Sequence, residues 1–255
     1  MAGVNRKPLQ GVSNIVWFNW HYYAAGLVFL GAGVAVRPFL TGAANAGVLG
    51  LVLAAGVSMT VSLAVSLYVY DLSGLYALGW LRGLPEAPGT NLVNIHAGFD
   101  ETSALLRQRY PKATWQVFDF YDPARHTEIS IRRARKAYAA FPGTRAVATG
   151  RLPLPAGSVD AVLLIMAAHE IRDPAERIAF FAQLRAALRP GGKVVVVEHL
   201  RDGYNLAAYH FGFFHFYSRR TWRHAFDAAG LQLVEETKIT PFVSVFTLQK
   251  NDTAP

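Results

Sequence analysis

Two polar pairs stand at the ends of two of the most apolar stretches in the chain: His169-Glu170 after residues 159–166, and Glu198-His199 at the end of residues 193–198. An imidazole with its ordinary pKa can take a proton from a hydroxyl or an amine near neutral pH, and a neighbouring carboxylate can fix its orientation. If the two apolar stretches are adjacent strands, all four side chains reach one cleft. His169 or His199 is then the favoured base, oriented by Glu170 or Glu198. The same donors admit a second reading, because His169, Glu170, Glu198, His199 and His210 are acceptable ligands for a divalent ion. No helix carries an H-x-x-x-H pairing, so no metal is assigned. The plain alternative is that these histidines satisfy backbone groups at the sheet edge. His210 and His215 lie in an aromatic segment, 204–217, which reads as core packing or as a lid over an apolar substrate.

Composition narrows the chemistry. The 255 residues include no cysteine, which excludes disulfides, thiolate metal sites, iron–sulfur clusters and a thiol nucleophile. Hydrophobic residues make up 52% and charged residues 16%, and the apolar excess is concentrated in the first 80 residues. The formal charge of +8 suits a surface facing anionic lipid. Nucleic acid is not expected as a partner, because the basic residues are scattered and no nucleic-acid motif accompanies them.

Residues 16–36 and 46–70 are each long and apolar enough to cross a bilayer core. A short connection with Arg37, Pro38, Gly42 and Asn45 joins them into a hairpin. Trp17, Trp20, Tyr22 and Tyr23 at one end, with Tyr68 and Tyr70 beside them, suit an aromatic belt. Arg6, Lys7 and Arg82 flank the hairpin, and only Arg37 lies in its connection. The charge bias therefore predicts an integral protein of the cell (inner) membrane with both termini and the catalytic domain cytoplasmic. Ser58, Ser62 and Ser66 share one helix face, read as hairpin self-packing or, more sharply, as a homodimer seam or a groove for a lipid. The expected organisation is an N-terminal segment 1–15, the hairpin 16–70, a linker 71–90 whose first half forms a short interfacial helix, an α/β domain 91–250 and a tail 251–255.

Beyond residue 90 short apolar runs alternate with amphipathic stretches. Strands are expected at 91–96, 114–119, 145–149, 159–166, 193–198, 231–238 and 243–248, and helices at 101–109, 127–139, 174–188 and 218–229. This alternation predicts a doubly wound, mostly parallel α/β sheet with its ligands at the carboxyl ends of the strands. The first strand runs into Asn94-Ile95-His96-Ala97-Gly98-Phe99-Asp100, and the second ends in Asp119, an acid placed to accept hydrogen bonds from ribose hydroxyls.

Further motifs follow in order: L-P-L-P-x-G-S-V-D at 152–160, L-R-P-G-G-K-V-V-V-V-E at 188–198, Ala228-Ala229-Gly230-Leu231, and Tyr70-Asp71 with Tyr76 upstream. Together they resemble a class I S-adenosylmethionine (SAM) methyltransferase of the small-molecule type, and members acting on quinones and lipids are similar. The resemblance covers about residues 70–250 and implies a seven-stranded Rossmann-like methyltransferase sheet behind the two-helix hairpin. It departs at the first motif, where Asn94 replaces the usual acid and the glycine positions read His96, Gly98 and Asp100. The resemblance implies that Asn94, His96, Ala97 and Gly98 line the cofactor turn. Asp119 would bind ribose, and Phe120 or Tyr121 would cover the adenine. Met166, Ala167 and Ala168 would lie under the sulfonium, with Tyr70 near the methionine end.

The implied activity is a membrane-bound methyltransferase whose partners are the bilayer and an apolar acceptor: a quinone, an isoprenoid or a lipid headgroup. Two alternatives stand beside it. One is SAM- and metal-using non-methyl chemistry on a quinone-like substrate. The other is a non-catalytic binding protein on a lapsed methyltransferase fold.

Overall fold

A computed structural model describes residues 6–251; residues 1–5 of the expected N-terminal segment and 252–255 of the expected tail lie outside them. The seven strands are β1 (Asn91–His96), β2 (Thr114–Asp119), β3 (Arg145–Ala146), β4 (Val159–Ile165), β5 (Leu188–His199), β6 (Leu231–Thr240) and β7 (Val243–Lys250). They form one sheet in the order β3-β2-β1-β4-β5-β7-β6. β1 to β5 pair in parallel, and β7 is antiparallel to both neighbours. The order reverses between β1 and β4, so a crevice opens at their carboxyl ends.

Among the described residues the α-helices are α1 (Gln10–Phe18), α2 (Trp20–Val36), α3 (Gly42–Leu67), α4 (Ser103–Arg109), α5 (Ile129–Ala137), α6 (Pro174–Ala187), α7 (Gly203–Tyr209) and α8 (Arg219–Ala228). β4 and most of β5 are buried on both faces, as their unbroken apolar runs require. Phe180, Phe181, Trp222 and Phe226 from α6 and α8 fill one face of the sheet. The other face is covered in part by residues expected to form a linker. Leu75, Leu78, Leu81 and Leu84, three residues apart, pack on the sheet there. A 3₁₀ turn at Leu75–Ala77 stands where a short interfacial helix was expected.

Element bounds differ from expectation mainly where hydrogen bonding overrides composition. β5 starts at Leu188, five residues early, because Arg189 to Gly192 form a bulge on β4 rather than a loop. Gly191 has φ +75°, and a Cβ at Gly192 would lie 3.1 Å from the Val159 carbonyl. The expected first span does not begin at residue 16. Asn19 (φ −113°) interrupts the helix, and its side chain donates to the Ile15 carbonyl at 3.0 Å. α1 is therefore a separate helix that buries Gly11, Asn14 and Phe18.

Among the described residues, two helices are long and apolar enough to cross a membrane, over Trp20–Phe39 and Gly42–Ala77. They cross at glycines: Cβ atoms at Gly26 and Gly33 would lie 2.7 Å from Met59 Sδ and 2.4 Å from Val52 Cγ2. The serine face of α3 does not form this crossing. Ser66 is buried, while Ser58 and Ser62 face the aromatic segment after α7.

Candidate active site

The turn after β1 is built on Gly98. Its φ of +94° and its packing on Tyr121, whose ring a Cβ would approach to 2.9 Å, both require glycine. Asn94 fixes the turn from below, donating to Ser103 Oγ at 2.8 Å and Thr102 Oγ1 at 3.2 Å. Asp119 at the tip of β2 accepts from the Tyr121 amide at 2.9 Å. Its other oxygen pairs with Arg135 of α5, which also donates to the Gly98 carbonyl at 3.2 Å.

His96 fills the space between two acids, 3.7 Å from Asp119 and 3.9 Å from Asp100. Burial lowers its pKa despite both carboxylates, so the ring is neutral at neutral pH. Phe120 is corrected as an adenine cover: strand alternation turns it into the core against Phe180. Tyr121 faces the crevice instead, between Arg135 and His126. Ala97, Ala167 and Ala168 are buried behind the crevice. Met166 has φ +52°, a strained conformation for a side chain of its size, at the carboxyl end of β4. Two arginines of α5 are engaged, for Arg133 donates to the Phe18 carbonyl at 2.6 Å and Arg135 holds Asp119.

The polar pairs divide. His169 Nδ1 lies 2.6 Å from Glu198 and its Nε2 3.3 Å from Glu170. Burial opposes charge on His169, but the two carboxylates outweigh it and hold the pKa up to about 10. In this arrangement His169 is a donor at neutral pH, not the free base expected. Glu170 is held well below the usual carboxylate range, where hydrogen bonds from His169 and His215 overcome burial.

His199 points away from this group. Its Nδ1 lies 2.9 Å from the Phe242 carbonyl and 3.0 Å from Asn205 Oδ1, which leaves Nε2 to accept from the Tyr70 hydroxyl at 2.9 Å. Burial pushes the His199 pKa down to about 4. His210 is outside both groups, with Nε2 3.3 Å from the Ser58 carbonyl.

Sequence reasoning missed the helix over this crevice. The Asp71 carboxylate accepts from the amides of Gly11 and Val12, both at 2.8 Å, and so caps α1. From there Phe18 packs edge-on against Phe99, and Asn14 accepts from the Tyr138 hydroxyl at 2.8 Å. Glu101 ties the same region together through Arg6 and Tyr76, each at 2.7 Å. The only sequence signal was the Tyr70-Asp71 pair, read for Tyr70 alone.

A family profile described as a methyltransferase domain matches residues 66–236. The chain belongs to this methyltransferase-domain family. An O-methyltransferase family 2 protein from Planctomyces limnophilus, solved with apigenin, is similar at 18% identity and a TM-score of 0.50, over 76% of this chain and 61% of that one. A SAM-dependent methyltransferase from Aquifex aeolicus is similar at 13% identity and a TM-score of 0.48, over 70% of this chain and 93% of that one. At these identities the likeness is one of fold. No curated protein matches the sequence.

The methyltransferase takes SAM as its cofactor, and the crevice carries groups that fit it. Three buried polar atoms of the turn, Asn94 Oδ1, His96 Nε2 and Asp100 Oδ2, have no partner within the protein. Unpaired buried polar atoms are costly, so such a set suits a polar ligand. The ammonium and carboxylate of a methionine supply matching groups. The Arg135 side chain, 38% exposed, must leave Asp119 before a ribose can take its place.

Proposed function

We propose that this methyltransferase is anchored in a membrane by α2 and α3 and methylates a hydroxyl oxygen of an acceptor dissolved in the bilayer: a quinone in its quinol form, a hydroxylated isoprenoid or a lipid headgroup. The observation that carries the reading is a cavity of about 680 Å³ between the hairpin and the aromatic segment after α7. Tyr23, Ser58 and Ser62 line it from the hairpin side, and Tyr209 and Phe216 from the domain side. Tyr209 and Phe216 in turn pack on the ring of His199, at 5.2 and 4.8 Å. An apolar molecule leaving the bilayer thus meets side chains that pack directly on His199, at the carboxyl end of β5. The volume is of the order that holds a small molecule, roughly 300–1,000 Å³. The aromatic end of the hairpin and the basic α5 meet through Trp20, His21 and Arg133, which suits the cytoplasmic headgroup level.

In this reading Asp119 holds the ribose hydroxyls, Tyr121 flanks the adenine, and His96 with Asp100 holds the methionine end. The chemistry supplied by bound SAM is an electrophilic methyl group, displaced in line by a nucleophile. The chain's part is to place the acceptor oxygen and receive its proton. Neutral His199, with Nε2 on the Tyr70 hydroxyl, offers a route for that proton.

Calorimetric titration of SAM into the detergent-purified chain tests the cofactor site. Micromolar binding is expected, at least about tenfold weaker in Asp119→Ala, since a lost charge-assisted hydrogen bond costs about 1.5–3 kcal/mol. Folded wild-type protein that binds no SAM would overturn the assignment. For the acceptor, the chain in liposomes is given a panel of quinols, isoprenoid phenols and water-soluble amines with labelled SAM. Transfer only to the soluble amines would refute the lipid-acceptor reading.

A further inference from the structure

Three side chains that no cofactor contact uses converge beside the crevice. One oxygen of Glu170 lies 3.3 Å from Nε2 of His169 and 3.3 Å from Nε2 of His215. Metal–ligand bonds of about 2.1 Å place neighbouring donors about 3.0–3.4 Å apart, so this spacing is that of ligands around one ion. The three donors all lie within 4.8 Å of one another. The far nitrogen of each ring is taken by a carboxylate. His169 Nδ1 lies 2.6 Å from Glu198, and His215 Nδ1 3.0 Å from Glu128. A carboxylate on Nδ1 orients the ring so that Nε2 faces the ion, which takes the place of the Nε2 proton; this is the usual support of a ligating histidine.

We propose that His169, Glu170 and His215 bind one divalent first-row transition ion, with Glu198 and Glu128 holding the two rings. Two imidazoles and a carboxylate suit zinc, iron or manganese and leave coordination positions open. The carboxylates already attract a cation: Nη2 of Arg172 lies 3.8 and 3.9 Å from Glu170 and Glu128. That side chain is 43% exposed and can swing into solvent, which makes it a competitor for the ion. Glu170 also lines a cavity of about 130 Å³ with His96 and Met166, so the open positions border the place where the methyl group is transferred. An ion there would bind the acceptor oxygen and lower its pKa. This role rests on the acceptor reading above; the binding of the ion does not.

The test uses the full chain in detergent, stripped with chelator and titrated with Mn²⁺ without SAM or acceptor, followed by calorimetry and electron paramagnetic resonance. One ion per chain is expected. Affinity should fall by about 10–100-fold in Glu198→Gln, as for other residues that hold a ligating ring. It should fall further in Glu170→Gln and His215→Ala, and rise in Arg172→Ala. His215 sits on a surface turn, so circular dichroism of His215→Ala will show whether the fold is kept. No stoichiometric binding by folded wild-type protein would overturn the proposal. So would binding that survives both Glu170→Gln and His215→Ala. Either failure would leave SAM binding and the lipid acceptor standing, because neither is measured in this titration.

Discussion

His199 shows how one buried ring couples the site to stability. Burial holds its pKa near 4, below the ordinary value of 6.5. Between these values the unfolded chain binds a proton that the folded chain does not. The contribution is therefore fully present above pH 6.5 and is lost as pH falls toward 4. Two and a half pKa units correspond to about 3 kcal/mol. Denaturant unfolding in detergent should show wild-type protein losing about 2–3 kcal/mol more than His199→Gln between pH 7 and pH 4.5. Equal losses would mean that the ring is protonated in the fold. The pairs were legible as residue types, since histidine and glutamate after apolar strands mark strand ends. Their partners were not: alternation along β5 sends Glu198 and His199 to different neighbours, and Asn205 and Phe242 reach His199 only through tertiary packing.

At the scale of elements, α1 depends on contacts from far along the chain. Its amides rest on Asp71, and Gly11 is a contact point where a Cβ would lie 2.4 Å from Tyr70 Cβ. Removing the cap in Asp71→Ala should destabilise the helix by about 1–2 kcal/mol. Hydrogen exchange at residues 11–18 should quicken by about tenfold or more, and SAM affinity should fall because the cover over Phe99 and Tyr138 loosens. Unchanged exchange would show that Phe18 and Asn14 hold the helix without the cap. This helix was hidden in the sequence because its last residues are as apolar as the span that follows. The hydrogen bond that makes Asn19 a boundary is a property of the folded backbone. The π-helical turn at Tyr68–Leu72, which presents Tyr70 to His199 and Asp71 to α1, was equally invisible.

For the whole molecule, the absence of cysteine makes topology directly measurable. Thr41, between α2 and α3, and Glu86, before β1, are both exposed. In sealed vesicles of known orientation, Thr41→Cys should react with an impermeant maleimide only from the outer side. Glu86→Cys should react only from the cytoplasmic side. Labelling of both from one side would exclude a transmembrane hairpin. The chain fuses this hairpin to the domain through leucines at 75, 78, 81 and 84, so hairpin and sheet are joined by a packed segment rather than a free tether.

What the sequence by itself determined was everything that depends on local pattern. The strands at 91–96 and 114–119 match to the residue, and the alternation of strands with helices and the two apolar spans follow from periodicity and from turn residues, while the seven-stranded sheet was implied by the family resemblance. Those features rest on interactions between near neighbours, which composition records. Tertiary structure alone decided which polar groups meet. Arg135 reached Asp119, His215 and Glu128 joined His169 and Glu170, and Asp71 reached across 60 residues to cap α1. These pairings join residues distant in sequence, and they are set by how helices pack on a sheet, a geometry that no spacing along the chain encodes.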